Sequence, residues 1–395
     1  MRTQLIVPFP LLRSLFIGWR RRRLGPWLLP WLCAAALLAA CQNDSAPTLP
    51  SALDDFYERL QNDAQRFTRN GGQWEENNGD PPFYGTAFYV RAGTTQGRAD
   101  YLQLAALSHG YARSVVQMAA RDRPYFLANL EEVMMAALGL CEYAAQTGDL
   151  SAAPELEEFI DTIDSITLGL GKYIDIQAGK FATSTYGPTA ITAAVAMLNL
   201  QYATYFATPQ AKERVAFARE LVETIKQKAQ FGDGFRVKPG EDLLELYPNT
   251  MMMLVLTRLY EQTGEAEYLQ AAERLFQFIQ PLKNLARGGY NSPYSAAEMG
   301  ARTDDYSTLS SQNYLTLALL VLYQNTHDRR YFTEASFVLT FIHEHLYDPA
   351  QGRVLHHFID GRIALPSDPG YFCAGCNLQL LYVLWYARHH ITRAE

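Results

Sequence analysis

The sequence predicts an all-α fold in which six helical hairpins close into a ring, an (α/α)6 toroid with small β-hairpins in the loops at its mouth. The first observation behind this prediction is a repeat of tyrosines, each placed just before an apolar stretch with helical spacing. These residues are Tyr84, Tyr125, Tyr186, Tyr247, Tyr306 and Tyr371, and they follow one another at intervals of 41, 61, 61, 59 and 65 residues. A repeat of about 60 residues matches one helical hairpin with a long connection.

The second observation is a shared pattern in the partner helix of several hairpins. A tyrosine is followed four residues later by an alanine at Tyr101–Ala105, Tyr268–Ala272 and Tyr331–Ala335. Residues four apart lie on one helix face, and the small alanine lets a neighbouring helix approach. Further apolar residues follow at steps of three and four, which predicts amphipathic helices and not strands.

The third observation is that short turns alternate with long connections. The short turns contain Thr-Gly, Thr-Pro or Thr-His pairs, which are typical of a helix end followed by a helix cap. The predicted first helices of the hairpins are 84–92, 126–146, 188–206, 247–262, 307–325 and 372–389, and their partners are 99–120, 152–170, 210–229, 266–282 and 329–346. A spare helix at 52–69 can pack beside 372–389, which closes a ring of twelve helices within a domain spanning 52–391.

The long connections lie on one side of the predicted ring, which we call the mouth. They cover 70–83, 171–186, 230–246, 283–306 and 347–371, and each contains a glycine followed by aromatic or extended residues. Such pieces predict small β-hairpins. Long loops on a compact scaffold often carry function, so we expect the functional residues at this face.

The first 40 residues have the pattern of an export signal. Arginines at 2, 13 and 20–23 precede an uncharged apolar stretch at 24–40, and Leu38-Ala39-Ala40-Cys41 follows. This segment resembles the bacterial lipobox, which implies cleavage before Cys41, lipidation of its thiol and a membrane anchor through residues 41–51. Gln42 in the next position implies, by the same resemblance, the outer membrane of a Gram-negative bacterium. The alternative is an uncleaved anchor, although 17 apolar residues are at the short limit for a spanning helix.

The net charge of the chain restricts its classes of binding partner, and its motifs and cysteines bear on cofactors and disulfides. The chain has a formal net charge of −7. Without the first 40 residues it has 28 basic and 41 acidic residues, a net charge of −13. This acidity disfavours nucleic acid and anionic polymers as partners. The sequence contains neither a phosphate-binding loop nor a dinucleotide-binding motif, so we expect no cofactor. No metal is needed, although clustered carboxylates at the mouth could hold a calcium ion. Cys373 and Cys376 could form a local disulfide, pair with Cys141 or remain thiols.

Two segments resemble signatures of the six-hairpin glycosidases and the N-acylglucosamine 2-epimerase-like proteins. They are Asp304-Asp305-Tyr306 and the run from Leu322 to Tyr331, and Tyr347-Asp348-Pro349-Ala350-Gln351-Gly352 resembles a connection of the same proteins. The resemblance covers about 55–390. It implies a toroid that acts on carbohydrate, with paired aspartates in the α-mannanase type of enzyme.

Carboxylates at the mouth are the candidate catalytic residues. Glycoside cleavage needs an acid and a second carboxylate at one of two separations. Asp304 and Asp305 are the clearest acidic pair, and Glu245 and Asp368 are candidate partners, with Glu75, Glu76, Asp233 and Asp242 as further options. Amide groups at a helix start would keep an aspartate ionised, so the acid would be a less solvated carboxyl group. The alternative is that both aspartates only cap helix 307–325.

Aromatic side chains at the mouth are the candidate substrate contacts, because their rings stack on sugar faces and their polar tips bind hydroxyls. The candidates are Trp74, Tyr84, Tyr186, Tyr247, Tyr290, Tyr294, Tyr306 and Tyr371. The alternative is that the recurrent tyrosines fill gaps between hairpins. Only His356 and His357 are expected on the mouth side, which disfavours epimerase chemistry with inner-wall histidines. We therefore expect an envelope-anchored, glycoside hydrolase-like protein, or alternatively a non-catalytic carbohydrate- or protein-binding lipoprotein.

Overall fold

Twelve α-helices dominate the computed structural model, which describes residues 47–63, 83–122, 130–174, 187–206, 209–240, 245–292, 306–359, 361–363 and 372–391. Contacts along the chain separate two units, Met1–Ala46 and Pro47–Glu395, and every described residue belongs to the second.

The α-helices in chain order are α1 (Ser51–Asp63), α2 (Phe83–Gln96), α3 (Ala99–Arg121), α4 (Leu130–Thr147), α5 (Ala153–Gly169), α6 (Gly187–Tyr205), α7 (Ala211–Ala229), α8 (Leu246–Thr263), α9 (Ala266–Phe278), α10 (Leu309–Thr326), α11 (Arg329–Phe341) and α12 (Ala374–Trp385). A 3-10 turn at Gln280–Leu282 follows α9, and π-helical turns at Ile342–Leu346 and Tyr386–Ile391 extend α11 and α12. The strands are β1 (Gln230–Phe231), β2 (Gly234–Phe235), β3 (Tyr306–Thr308), β4 (Tyr347–Asp348), β5 (Arg353–Val354), β6 (His357–Ile359) and β7 (Arg362–Ile363).

The even-numbered helices form a closed inner ring. Each of α2, α4, α6, α8 and α10 packs on the next even-numbered helix, and α12 packs on both α10 and α2. The odd-numbered helices lie outside and run back between consecutive inner helices. The predicted toroid of six helical hairpins is therefore confirmed.

Burial explains why the two kinds of helix differ in sequence. Fourteen residues of α6 and fourteen of α10 are buried, because an inner helix has neighbours on every side. Outer helix α7 buries only a stripe spaced by three and four residues, which includes Ala218, Leu221, Val222 and Ile225. This is the pattern of an amphipathic helix with one face on the core.

Helix α1 closes the ring beside α12, as the unpaired helices at the two ends of the series predicted. Arg388, just after α12, forms ion pairs with Asp54, at 3.0 Å, and with Glu58 of α1. The Trp385 indole N–H donates to Thr95 Oγ1 of α2 at 3.0 Å. These contacts join the first and last parts of the toroid.

The β-strands are short and belong to the connections at the mouth, as predicted. β1 pairs with β2 and β4 with β5 as antiparallel hairpins, and β3, β6 and β7 form a three-stranded sheet in the order β3-β6-β7. In that sheet Tyr306 faces Ile359 and Thr308 faces His357. The strand β3 leads directly into α10, so this sheet fixes the start of that inner helix.

A polar side chain near the start of four inner helices binds the backbone of the connection that precedes it. Asn249 and Asn377 each bond both the N–H and the C=O of one residue, Phe235 and Val354 respectively, at 2.8–3.0 Å. Gln312 does the same to Tyr290, and Thr192 Oγ1 accepts from the N–H of Ile174. We call Thr192, Asn249, Gln312 and Asn377 the clasp residues. They satisfy buried backbone groups that no regular strand or helix pairs.

The cysteines take one of the three expected arrangements. Cys373 and Cys376 form a disulfide at the start of α12, with their Cα atoms 5.3 Å apart. Cys141 is a buried free thiol in α4. The Cys373 sulfur also accepts the N–H of Cys376 and so caps α12.

Candidate functional site

The mouth is the face at which the six inner helices begin. Among the predicted site residues, the structure describes the side chains of Glu245, Tyr247, Tyr290 and Tyr306, and it places the backbone of Tyr84 in α2. The other predicted site residues lie outside the described ranges: Asp304, Asp305, Asp368, Trp74, Tyr186, Tyr294, Tyr371 and Cys41. Of the further carboxylates, only Asp233 is described, and it lies in the exposed β1–β2 turn, 3.8 Å from Arg274 of outer helix α9.

Glu245 is a described carboxyl group at the mouth, and both of its oxygens accept hydrogen bonds from the protein. It precedes α8, and one of its oxygens caps the helix by accepting the Tyr247 N–H at 3.0 Å. Its other oxygen accepts the hydroxyl of Ser292 at 2.5 Å, and Ser292 N–H in turn donates to the Tyr306 carbonyl at 2.6 Å. These bonds join the start of α8 to the segment that leads into α10.

Burial decides the protonation state of Glu245. The residue is only 2% exposed, and desolvation raises the pKa of its carboxyl group to about 8. The hydrogen bonds from Ser292 and from the Tyr247 N–H act in the opposite direction and are the smaller effects. Glu245 is therefore protonated at neutral pH and can donate a proton, which is the property that acid catalysis at pH 7 requires.

Tyr247 and Tyr306 are buried at the mouth. The Tyr247 ring packs edge-on against Tyr314 of α10, with 4.9 Å between centroids, and the Tyr306 ring lies 5.8 Å from the His357 ring. Both side chains are less than 5% exposed. These positions fit the alternative that the recurrent tyrosines fill gaps between hairpins, and their role as substrate contacts remains a prediction.

Tyr290 has a different position from the one expected of a ligand-contacting loop residue. It is fully buried, its hydroxyl donates to Glu334 of outer helix α11 at 2.9 Å, and Gln280 donates to that hydroxyl at the same distance. Its backbone is held by the clasp residue Gln312. The side chain thus packs between hairpins and leaves no surface for a ligand. Tyr290 does not follow the helical spacing because it lies in a connection whose backbone is held by a clasp residue. The clasps recur at several inner helices, and the sequence spacing did not reveal them.

Neither of the two histidines expected on the mouth side, His356 and His357, is exposed. Burial, and secondly the neighbouring His357, lowers the pKa of His356 to about 4, so His356 is neutral at physiological pH. His357 lies in β6 and is 1% exposed. The described residues of the six inner α-helices include no histidine.

A cavity on the ring axis is a feature that sequence reasoning missed. It has a volume of about 100 Å³, and every inner helix contributes to its wall. One lining residue from each helix is Ala87, Leu138, Met197, Leu254, Leu317 and Tyr382. The continuous apolar character of the inner helices indicates that each is surrounded by other elements, but it does not locate a cavity among them.

The far end of this axial cavity is polar and its charges are paired. Arg91 of α2 and Glu142 of α4 form a buried ion pair at 2.5 Å, with the guanidinium 5.3 Å from the centre of the Trp385 ring. Arg258 of α8 pairs with Glu261 at 2.5 Å. Desolvation, with the Glu142 carboxylate as the second cause, raises the pKa of Tyr382 to about 12. We call Glu142, Arg258 and Tyr382, which line this end of the cavity, the cavity floor.

No group of three or more potential metal-binding side chains comes together in the described ranges. In the same ranges, no helix combines the length and the apolar character needed to cross a membrane.

Comparison with known proteins identifies relatives by fold. No protein-family model matches the chain, and no curated protein matches its sequence. Among solved structures, a D-mannose isomerase is similar with a TM-score of 0.62 and 14% identity, over 86% of this chain and 97% of that one. A cellobiose 2-epimerase from Bacillus thermoamylovorans has a TM-score of 0.60 and 12% identity, over 83% and 98%. A GH76 α-mannanase from Bacteroides thetaiotaomicron has a TM-score of 0.56 and 12% identity, over 86% and 96%. The chain therefore shares the toroid fold of six-hairpin glycosidase-like proteins along nearly their whole length.

Proposed function

We propose that the chain is a carbohydrate-active enzyme of the cell envelope that cleaves glycosidic bonds with carboxyl groups at the mouth of the toroid. The observation that carries the proposal is Glu245, a buried carboxyl group at the start of an inner helix with a pKa raised to about 8. The fold relatives support the substrate class, because structures with this toroid include enzymes named for mannose, cellobiose and mannan.

The proposed reaction uses two carboxyl groups. Glu245, protonated at neutral pH, donates its proton to the oxygen of the departing sugar. The second group is Asp304 or Asp305 in its ionised form. As a base it takes a proton from the water that attacks the anomeric carbon, and as a nucleophile it forms a glycosyl ester that water then hydrolyses. Both aspartates directly precede Tyr306 in the sequence, and the Tyr306 carbonyl is linked through Ser292 to Glu245. Separations of roughly 5–5.5 Å or 6.5–9.5 Å between the carboxyl groups would correspond to retaining or inverting cleavage.

The experiment is an oligosaccharide panel incubated with the wild type and with Glu245→Gln, Asp304→Asn and Asp305→Asn. We expect turnover in the wild type and a loss of at least about a hundredfold in Glu245→Gln and in one aspartate variant. Glu213→Gln is the matched control, because Glu213 is exposed on outer helix α7. Full turnover in all three mouth variants would contradict the proposal.

The alternative is a non-catalytic carbohydrate- or protein-binding lipoprotein on the same scaffold. One observation favours it: both oxygens of Glu245 already have hydrogen-bond partners, and the side chain is almost inaccessible. Binding without turnover in the wild type, unchanged by the substitutions at 245, 304 and 305, would support this alternative.

The envelope location is proposed from the sequence alone. The lipobox-like segment at Leu38–Cys41 implies removal of the first 40 residues, attachment of lipid to Cys41 and residence in the outer membrane. Cys41→Ser should leave the precursor unprocessed or release the protein from the membrane. If the Cys41→Ser protein fractionated with the membrane and had the size of the wild-type mature protein, the lipid anchor at Cys41 would be contradicted.

A further inference from the structure

We propose that the axial cavity binds a neutral apolar substituent of the substrate, an alkyl or acyl chain attached to the sugar that reacts at the mouth. This inference rests on the proposed function and extends it to a class of substrate. The observation behind it is the chemistry of the cavity wall, which is unsuited to a sugar.

The upper wall offers mainly carbon and sulfur atoms. Met135, Met197 and Met251 come from three consecutive inner helices, and Leu254 and Leu317 lie beside them. A sugar moved into such surroundings would lose hydrogen bonds to water without replacing them. Methionine side chains are flexible and adapt to apolar ligands of varied shape. The wall therefore favours an apolar group.

The few polar groups along the upper wall do not change this conclusion. The Tyr314 hydroxyl is directed to the sulfur of Met135 at 3.4 Å. Gln379 also lines the cavity, and its side-chain oxygen accepts a hydrogen bond from the side-chain amide of Asn313 at 3.3 Å. The Tyr314 hydroxyl and the Gln379 oxygen are thus engaged within the protein, whereas Gln201, which also lines the cavity, has a buried Oε1 without a hydrogen-bond partner.

The cavity floor argues for a neutral occupant. Arg258, which lines the cavity, is paired with Glu261, and Glu142 is paired with Arg91. A free fatty acid would bring a carboxylate to guanidinium groups that already have carboxylate partners. An uncharged chain needs no counter-ion, so it fits a floor whose charges are balanced.

The position of the cavity relative to Glu245 suits a substituent of the reacting sugar. Glu245 immediately precedes α8, and Met251 is the sixth residue of that helix. At a rise of 1.5 Å per residue, Met251 lies roughly 9 Å along α8 from Glu245. A chain attached to a sugar at the mouth would reach the apolar wall over this distance.

The test is a titration calorimetry series with methyl, butyl, hexyl and octyl β-D-glucosides, each below its critical micelle concentration. The full chain is held in lipid nanodiscs, and heats from empty nanodiscs are subtracted. We expect affinity to rise by up to about fourfold for each added methylene until the chain fills the cavity. Equal affinity for the methyl and octyl compounds would overturn the inference.

Substitutions that fill the cavity test its location. Leu254→Trp should abolish the dependence on chain length, and Leu317→Phe provides a second variant if the first fails to fold. Leu168→Trp is the matched control, because Leu168 is 52% exposed on outer helix α5. A chain-length dependence that survives in both cavity variants would also overturn the inference.

Two further ligands separate this inference from the proposed function. Octanoate should bind at least tenfold more weakly than octyl glucoside, and equal or tighter binding of octanoate would contradict a neutral occupant. If 1-octanol binds as tightly as octyl glucoside, the sugar adds nothing and the carbohydrate function fails, while the apolar character of the site stands. If sugars bind with no dependence on chain length, the cavity inference fails and the proposed function stands.

Discussion

At the scale of single residues, Glu245 shows how burial sets chemistry. The amide groups at the start of α8 favour a carboxylate, as does the hydrogen bond from Ser292, yet desolvation outweighs both and raises the pKa to about 8. The sequence identified Glu245 as a candidate partner for Asp304 and Asp305 at the mouth. It could not reveal the protonation state, because burial in the folded protein sets it.

The raised pKa predicts a pH dependence of stability. The carboxyl group ionises near pH 4.5 in the unfolded chain and near pH 8 in the folded one. The stabilisation that this protonated group gives to the folded state is fully present below pH 4.5 and is lost as the pH rises to 8. Over that range the free energy of unfolding falls by about 1.4 kcal/mol per pH unit. In Glu245→Gln this slope should be absent, as measured by urea unfolding at several pH values. The control variant Glu213→Gln should keep the pH dependence of the wild type. If Glu245→Gln kept it as well, the raised pKa of Glu245 would be contradicted.

Tyr290 shows why residue roles were harder to predict than positions. Its place in a long loop, away from helical spacing, suggested a ligand contact, whereas the structure buries it among hydrogen bonds with Gln312, Gln280 and Glu334. A buried loop tyrosine and an exposed one look alike in sequence. The glycine before it was the better signal: Gly289 has a φ of 67°, and a Cβ there would lie 2.5 Å from the Phe341 ring.

At the scale of elements, the helices were predictable because their patterns have a direct physical cause. Spacing by three and four residues marked the outer helices, and Thr-Gly turns marked their boundaries. Gly264, with a φ of 71°, ends α8 in the left-handed conformation that glycine adopts most easily. The clasp residues could not be predicted, because an asparagine or glutamine near a helix start gives no indication of its partner.

The clasp at α12 predicts a measurable loss of stability. Asn377→Leu removes both hydrogen bonds to Val354 and leaves its buried N–H and C=O without partners. Since each unsatisfied group costs about 1–3 kcal/mol, we expect the free energy of unfolding to fall by roughly 2–5 kcal/mol. Gln103→Leu, at an exposed position of α3, should change it by less than about 0.5 kcal/mol. Equal effects of the two substitutions would show that the clasp contributes little.

At the scale of the whole molecule, ring closure followed from counting helices. An unpaired helix at each end of a hairpin series has an exposed apolar face unless the two ends meet. The structure joins them through Arg388 and the side chains of α1. The axial cavity could not be predicted in the same way, because it arises from the combined shape of six helices that are far apart in sequence.

Closure predicts that α1 is part of the cooperative core. Phe56 is fully buried and packs on His343 and Tyr347, with ring centroids 4.9 and 5.1 Å away. Phe56→Ala should lower the free energy of unfolding by about 3–5 kcal/mol, in one transition for the whole domain. Asp55→Ala, at an exposed position of the same helix, is the control. A separate early transition for α1, or no loss of stability, would mean that the ring does not depend on this helix.

The central claim is that a protonated Glu245 acts as the acid in glycoside cleavage, and its most direct test is the pH dependence of kcat/KM for release of reducing ends. We expect activity to fall tenfold per pH unit above about pH 8, as Glu245 loses its proton. In Glu245→Gln the rate should be at least about a hundredfold lower and this alkaline limb should vanish. An unchanged rate and an unchanged alkaline limb in Glu245→Gln would contradict the claim.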